Sequence, residues 1–378
     1  MTIFEAPMTQ TFPPDLLHQP PTDRLTWFRQ KVIRHPHLDA ACQAVQEAIR
    51  YPAGTSVIFI IGATGIGKTT LRLRLEQQLI SDLLPTLTDD PSRVPVVSVE
   101  ALAPEHGNFN WRDYYLRALH ALEEPLLEHK RPRPGEEPRT KLQRAAAPAL
   151  RRALEQALHH RRPLAFLLDE AQHLKNVSSE RRLLDQMDTL KSLAQTTGTL
   201  HVLFGTYEVL ALTNLSAQLG RRSREIHFPR YRLDHPDDQQ AFRNILYTFQ
   251  QAVPLPDPPD LVGRLDDCYA QSAGCVGVLK DWLNRALALA LDASLPTLTP
   301  TVLEQASLAL TKRLQLARDI QMGEAAFVTT DQQQAELRAL LGISPTDAEA
   351  TVAPHSRRVG RRQQTRDTHG EPTEEPAC

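Results

Sequence analysis

Cysteine is scarce in this sequence. The 378 residues hold four, Cys42, Cys268, Cys275 and Cys378, scattered and without the paired spacing of a metal site. That excludes a zinc ribbon and a disulfide-built scaffold, and the thiols read as reduced, mostly buried ones in a cytosolic protein. Long apolar runs are missing as well: none approaches the roughly 18 residues that a membrane span requires. The amino terminus carries no signal-peptide pattern, so a soluble cytoplasmic protein with no membrane partner is expected. Net charge is nearly absent too, with 43 Lys and Arg against 45 Asp and Glu, a formal −2. No global basic field advertises nucleic acid, so DNA binding has to come from a local patch or from many subunits acting together. What is present, 41% hydrophobic and 23% charged residues, is ordinary for a globular protein, and the length allows one sizeable core and room for a second.

The stretch Val57–Leu75, VIFIIGATGIGKTTLRLRL, organises the rest. Its first five residues form a β-branched and aromatic run, the pattern of a parallel strand buried on both faces. Gly62-Ala63-Thr64-Gly65-Ile66-Gly67-Lys68-Thr69 then matches G-x-x-x-x-G-K-[ST] at every fixed position, and a helix-forming run beginning near Thr70 follows. The glycines let successive N–H groups turn inward as a nest for phosphate oxygens, and the helix adds the positive end of its dipole. Lys68 supplies charge to the β- and γ-phosphates, and the Thr69 hydroxyl is placed to ligate Mg²⁺. ATP with Mg²⁺ is the cofactor pair expected.

A second anchor is Leu164-Ala-Phe-Leu-Leu-Asp169-Glu170. An apolar strand here runs straight into two carboxylates: Asp169 for the Mg²⁺ shell, Glu170 as general base toward the attacking water. Taken alone, a strand ending in Asp-Glu is weak evidence; together with the phosphate loop it defines one site. Further strands read at Ser56–Ile61, Val94–Val99, Leu200–Phe204 and Glu225–Phe228, with helical patterns between them. Alternation of this kind gives a five-stranded parallel sheet covered by helices on both faces, with phosphate at the strand carboxyl ends. The strand ending at Phe204 would carry Thr206 toward the γ-phosphate, unless Thr206 is a simple turn residue. Arg221 and Arg222 precede the last strand and point either to a neighbouring subunit's phosphate or to solvent.

Elsewhere the expectations are coarser. Residues 1–24, with Pro7, Pro13, Pro14, Pro20 and Pro21, read as a disordered arm. Two short helices broken at His35-Pro36 open the α/β core, 25–232. Residues 233–316 read as an all-helical lid, whose third helix would carry Lys280 on its first turn, either facing phosphate or as a plain surface lysine. Residues 317–378 read as a mostly disordered tail, with Arg357, Arg358, Arg361, Arg362 and Arg366 ahead of an acidic end.

Phosphate loop, Asp-Glu strand, polar strand end, paired arginines and helical lid together look like an AAA+ ATPase. More narrowly, five segments resemble the TnsC/TniB family of transposition regulators over residues 25–316. These are His35-Pro36, Leu167–His173 (LLDEAQH), Phe204–Leu210 (FGTYEVL), Leu219–Pro229 (LGRRSREIHFP) and Ser272–Leu279 (SAGCVGVL). The resemblance implies an ATPase that assembles head to tail on double-stranded DNA as a ring or filament. It would link a target-selection protein to a transposase and come apart on hydrolysis, an arginine from the next subunit completing each site. Candidate DNA contacts are Arg112, Arg117, Lys130 and Arg131, each of which also reads as a solvated surface residue. A secretion-type AAA ATPase and a nucleotide-gated scaffold with little turnover are the competing readings.

Overall fold

A computed structural model of the protein describes residues 11–87, 89–103, 109–122, 146–175, 180–213 and 221–343. The chain divides into two compact units, Met1–Phe327 and Val328–Cys378. In the first, all five expected strands form, each within two residues of its expected limits: β1 Val57–Gly62, β2 Val96–Glu100, β3 Ala165–Asp169, β4 His201–Gly205 and β5 Ser223–Phe228. They pair in parallel in the order β2-β3-β4-β1-β5. The β3–β4–β1 neighbourhood is what brings the Asp-Glu strand, the polar strand end and the phosphate loop to one edge.

Every residue of β1 is buried, and its side chains serve two cores in alternation. Val57, Phe59 and Ile61 pack with Phe166, Leu168 and Leu203 under helices α4 (Trp111–Ala121), α5 (Ala147–Arg161) and α6 (Glu180–Thr197). Ile58 and Ile60 join Leu167, Val202 and Phe204 on the other face, under α2 (Pro36–Arg50) and α3 (Lys68–Leu87). This two-residue alternation across a twice-covered sheet explains the unbroken apolar run.

A third core belongs to the helices after the sheet. It unites α7 (Pro236–Ala252), α8 (Leu265–Ser272), α9 (Val276–Asp292) and α10 (Pro300–Gln305). It also recruits α1 (Pro21–Gln30), whose Phe28 meets Phe249 at 6.2 Å. Of the arm expected over residues 1–24, residues 1–10 lie outside the described residues and the rest is structured: Phe12 and Leu16 are buried, and a 3₁₀ turn spans Pro14–His18. Two of the prolines that suggested disorder, Pro14 and Pro21, open helical turns, as Pro36 does for α2, at positions where a missing N–H is harmless.

The lid does not end at Leu316 either. Helix α11 runs Leu310–Ala325, and Ile320 and Gly323 are its only buried residues. So thin an apolar stripe leaves almost no periodic signal. In the second unit, α12 (Asp331–Leu340) starts on a capping box of Thr330 and Gln333 and has no buried residue. No helix among the described residues is long and apolar enough to cross a membrane.

Candidate nucleotide site

The loop between β1 and α3 takes the left-handed backbone at Gly65 (φ 71°) and the still more restricted φ of 114° at Gly67, conformations that need glycine. Gly62 is constrained differently: a Cβ there would lie 2.6 Å from the Phe228 carbonyl oxygen at the end of β5. Lys68 is buried, and its ammonium donates to the carbonyls of Gly62 (3.1 Å) and Ala63 (2.9 Å). Burial draws its pKa below the usual lysine value, while Glu170 and then Asp169 pull it back up. Both carboxylates therefore lie within electrostatic reach of the loop lysine, although β4 stands between β3 and β1 in the sheet.

Asp169 closes β3, 4% exposed. Its Oδ1 accepts the Glu170 N–H at 3.0 Å, and its Oδ2 receives Arg72 Nε at 3.1 Å. Arg72, one turn into α3, also binds Glu76 and the Ser98 hydroxyl. Glu170 turns the chain with φ 55°, a left-handed backbone that a non-glycine residue adopts at a cost of about 1–2 kcal/mol. Its side chain accepts a hydrogen bond from the Gln172 amide, and Gln172 Oε1 accepts from the Thr206 backbone N–H at 3.3 Å. Sequence reasoning missed both Arg72 and Gln172. The signal for Gln172 was its place two residues beyond a paired carboxylate.

Thr206 follows β4 beside β1, and its buried hydroxyl has no hydrogen-bond partner. With Ala63 and Thr64 of the loop it lines an open cavity of about 550 Å³ bordered on the far side by α11 residues Leu316, Asp319 and Gly323. A smaller cavity of about 50 Å³ lies behind the loop, bounded by Ile66, Gly67 and Thr70 and by Val32, Gly277 and Lys280.

Lys280 stands at the fifth residue of α9, just past the expected first turn, because the helix starts at Val276. Its ammonium donates to the Arg29 carbonyl at 2.7 Å, at the carboxyl end of α1. Burial lowers its pKa and Asp281 opposes that. It flanks the smaller cavity rather than the one lined by Thr206. The lid reaches the loop through backbone instead: Val278 N donates to Gly65 O at 3.1 Å, and a Cβ on Gly277 would collide with that same carbonyl.

Arg221 and Arg222 are exposed just before β5. Strand β5 pairs in register with β1 from Val57↔Ser223 to Gly62↔Phe228. The arginines thus sit at the amino end of a parallel strand whose carboxyl end meets the loop, about 20 Å away at roughly 3.3 Å per residue. Arg112 and Arg117 lie on α4 beside β2, at the opposite edge of the sheet. Arg117 is paired with Asp113 at 2.8 Å. Lys130 and Arg131 lie outside the described residues.

The donors around the loop are a hydroxyl (Thr69) and carboxylates, and the described residues contain no group of three or more His, Cys, Asp or Glu able to hold a metal by themselves. Such a set suits Mg²⁺, which takes one or two protein oxygens and completes its shell with phosphate and water.

The chain is similar to several solved structures. These include the ORC2 protein of Aeropyrum pernix, solved as ADPNP–ADP complexes, at 16% identity over 77% of this chain and 73% of that one, TM-score 0.48. A Walker-type ATPase of Pyrococcus abyssi matches at 16% identity over 80% and 75%, TM-score 0.41. Drosophila ORC bound to DNA matches at 13% over 93% and 85%, TM-score 0.45. No curated protein sequence matches. Residues 51–213, from just before β1 to just beyond β4, match the family model of the AAA domain, a span that holds the phosphate loop and four of the five parallel strands.

Proposed function

We propose that the protein is a cytoplasmic, Mg²⁺-dependent ATPase that oligomerises on double-stranded target DNA and links a target selector to a transposase, hydrolysis taking the assembly apart. The observation that carries the ATPase reading is that Lys68, Asp169 and Glu170 lie within electrostatic reach of one another, with Thr206 tied to Glu170 through Gln172, at the carboxyl ends of three adjacent strands. In this reading the N–H groups from Gly62 to Thr70 cradle the phosphates, and Lys68 leaves the Gly62 and Ala63 carbonyls for the β- and γ-phosphates. Thr69 and Asp169 would hold Mg²⁺, which when bound neutralises charge developing on the transferred phosphoryl group. Glu170 orients the attacking water and takes its proton. Thr206 offers its unpartnered hydroxyl on the γ-phosphate side.

Distance supports completion by a neighbour. Arg221 and Arg222 stand too far from their own loop to reach a phosphate there, yet they are exposed at a sheet edge, so a head-to-tail partner's phosphate is the one within their range. A contact of that kind joins unlike surfaces and builds rings or open helices. Weak phosphate contacts, for which Arg112 and Arg117 are candidates, then add along the assembly despite the nearly neutral total charge. The link to transposition rests on the family resemblance of the five sequence segments.

Electron microscopy with duplex DNA and a non-hydrolysable ATP analogue tests the whole reading. Ordered assemblies are expected with nucleotide and none without it. Lys68→Ala should form none, and Glu170→Gln should assemble with ATP and fail to dissociate. Protein that stays monomeric and ignores DNA at saturating nucleotide would overturn the transposition reading, leaving the pocket in place. A secretion-type ATPase would give that same negative result while still hydrolysing ATP.

A further inference from the structure

Gln172 touches both halves of the reacting edge, the Glu170 carboxylate and the Thr206 backbone, and hydrogen-bond chemistry fixes its orientation. A carboxylate only accepts and a backbone N–H only donates. The amide NH₂ must therefore face Glu170, and the amide oxygen must face Thr206 N, which it meets at 3.3 Å. Reversing the amide would lose both bonds. Leucine at this position can make neither, and glutamate could make only the second while placing a like charge against Glu170.

The surroundings are shaped to admit this amide. Strand β4 ends in Gly205, where a Cβ would lie 3.2 Å from Gln172 Oε1 and would collide with Val209. The 3₁₀ turn Ala171–Lys175 that carries Gln172 begins directly after the left-handed Glu170, and His173 N closes on the Glu170 carbonyl at 3.0 Å. The turn thus folds Gln172 back over the residue two places before it and against the next strand. A glutamate side chain has several rotatable bonds, and at this half-buried position the Gln172 amide is the hydrogen-bond donor that restrains its carboxylate.

We propose that Gln172 is a positioning residue for ATP hydrolysis, holding the Glu170 carboxylate in register with the end of β4. The proposal rests on the ATPase reading above. Orientation of a general base toward a bound water acts on the chemical step far more than on substrate affinity. Gln172→Ala therefore lowers kcat by roughly 10- to 100-fold, with KM and the Kd of a non-hydrolysable ATP analogue within about threefold of wild type. Gln172→Glu, of nearly the same size, lowers kcat at least as much, and it decides the matter if the alanine variant folds poorly.

Steady-state ATPase kinetics on the full chain, with melting curves for each variant, provide the test. Its deciding arm is a double-mutant cycle. Because Gln172 acts through Glu170, adding Gln172→Ala to Glu170→Gln should cost less than about twofold further, whereas a purely structural role would make the two losses multiply. A folded Gln172→Glu with wild-type kcat, multiplying losses in the cycle, or a loss confined to KM each overturns the positioning role and leaves the ATPase intact. A wild-type protein that binds ATP and never hydrolyses it overturns both.

Discussion

Two glycine contacts meet at Gly65 and are built on different terms. On the core side, Gly65 takes a left-handed turn, a backbone requirement local to the eight residues of the loop. On the lid side, the same residue's carbonyl accepts Val278 N, and α9 comes that close only because residue 277 also lacks a side chain. The first contact is a property of a contiguous motif. The second joins segments more than two hundred residues apart and holds the lid helix against the loop. What the comparison teaches is that local backbone chemistry makes the nest, while long-range close approach sets how tightly the lid covers it.

The largest effect separates the two sides. Lys68→Ala removes the charge proposed to serve two phosphates and is expected to weaken ATP-analogue binding by at least about 100-fold, near 3 kcal/mol, since hydrogen bonds to charged groups contribute about 1.5–3 kcal/mol. Gly277→Ala leaves the loop untouched and holds the lid off it, for a loss of about tenfold, or 1.4 kcal/mol. Fluorescence titration with a labelled nucleotide measures both. Wild-type affinity in Gly277→Ala would show that lid closure contributes nothing to binding.

Stability supplies the next contrast. The seam between sheet and lid is tied by Arg230, just after β5, whose guanidinium grips both Glu324 oxygens on α11 (2.9 and 3.2 Å) and the Tyr269 hydroxyl at 2.6 Å. Nearby, Gly323 lies directly on the Tyr207 ring with no room for a Cβ. The Arg230–Glu324 side chains are 21% and 17% exposed, whereas those of the Lys175–Glu208 pair are 41% and 61% exposed. Glu324→Ala strands the guanidinium in that seam and should lower unfolding stability by about 2–3 kcal/mol, short of the 3–5 of a fully buried pair. Lys175→Ala should lower it by less than about 1 kcal/mol. Urea midpoints with an unchanged slope are the measurement; equal shifts would mean that α11 is not anchored by this pair.

That seam is also where sequence reading stopped. The loop from Gly62 to Thr69, the five strands and the Asp169-Glu170 pair were legible because each is a contiguous pattern carrying its own chemistry. The placement of Arg221 and Arg222 away from their own loop needed strand order, which the alternation of strands and helices suggests without specifying. The spacing places Lys280 on a first helical turn, but as the fifth residue of α9 it stands just past that turn, and it serves the carboxyl end of α1. Helix α11 escaped notice because two buried residues in sixteen leave no periodicity. Gln172 stood in plain view within Leu167–His173, yet its role depends on Gly205 and Thr206, which reach it only through the β3–β4 pairing. Contacts made by one side chain between two strand ends have no signature along the chain.

The smallest effect compares a histidine of the sheet with one of the seam. His201 is fully buried in β4, stacked 4.9 Å from Phe166, with Nδ1 donating to Thr199 O at 2.9 Å and Nε2 without a partner. Burial holds its pKa down to about 4, the Thr199 bond opposing this. His35, before α2, also lies near 4, lowered by burial first, then by His37 and Arg74, with Asp39 pulling the other way. Its neutral Nδ1 caps Leu38 N at 3.3 Å and meets the Tyr231 hydroxyl at 3.0 Å. In both, the folded pKa lies below the unfolded value of about 6.5, so the stabilisation is complete above pH 6.5 and is lost as pH falls toward 4. Between pH 7 and pH 5 each histidine should account for a loss of roughly 1–2 kcal/mol. His201→Leu removes that pH-dependent share by deleting the titrating ring. His35→Asn removes it too while keeping a side-chain oxygen that can cap the helix, so it should be the less destabilising of the two at pH 7. Urea unfolding of both variants at the two pH values distinguishes a sheet histidine that resists charging only because it is enclosed from a seam histidine whose neutral nitrogen also holds a helix start, and an unchanged pH slope in either variant would remove that residue from the account.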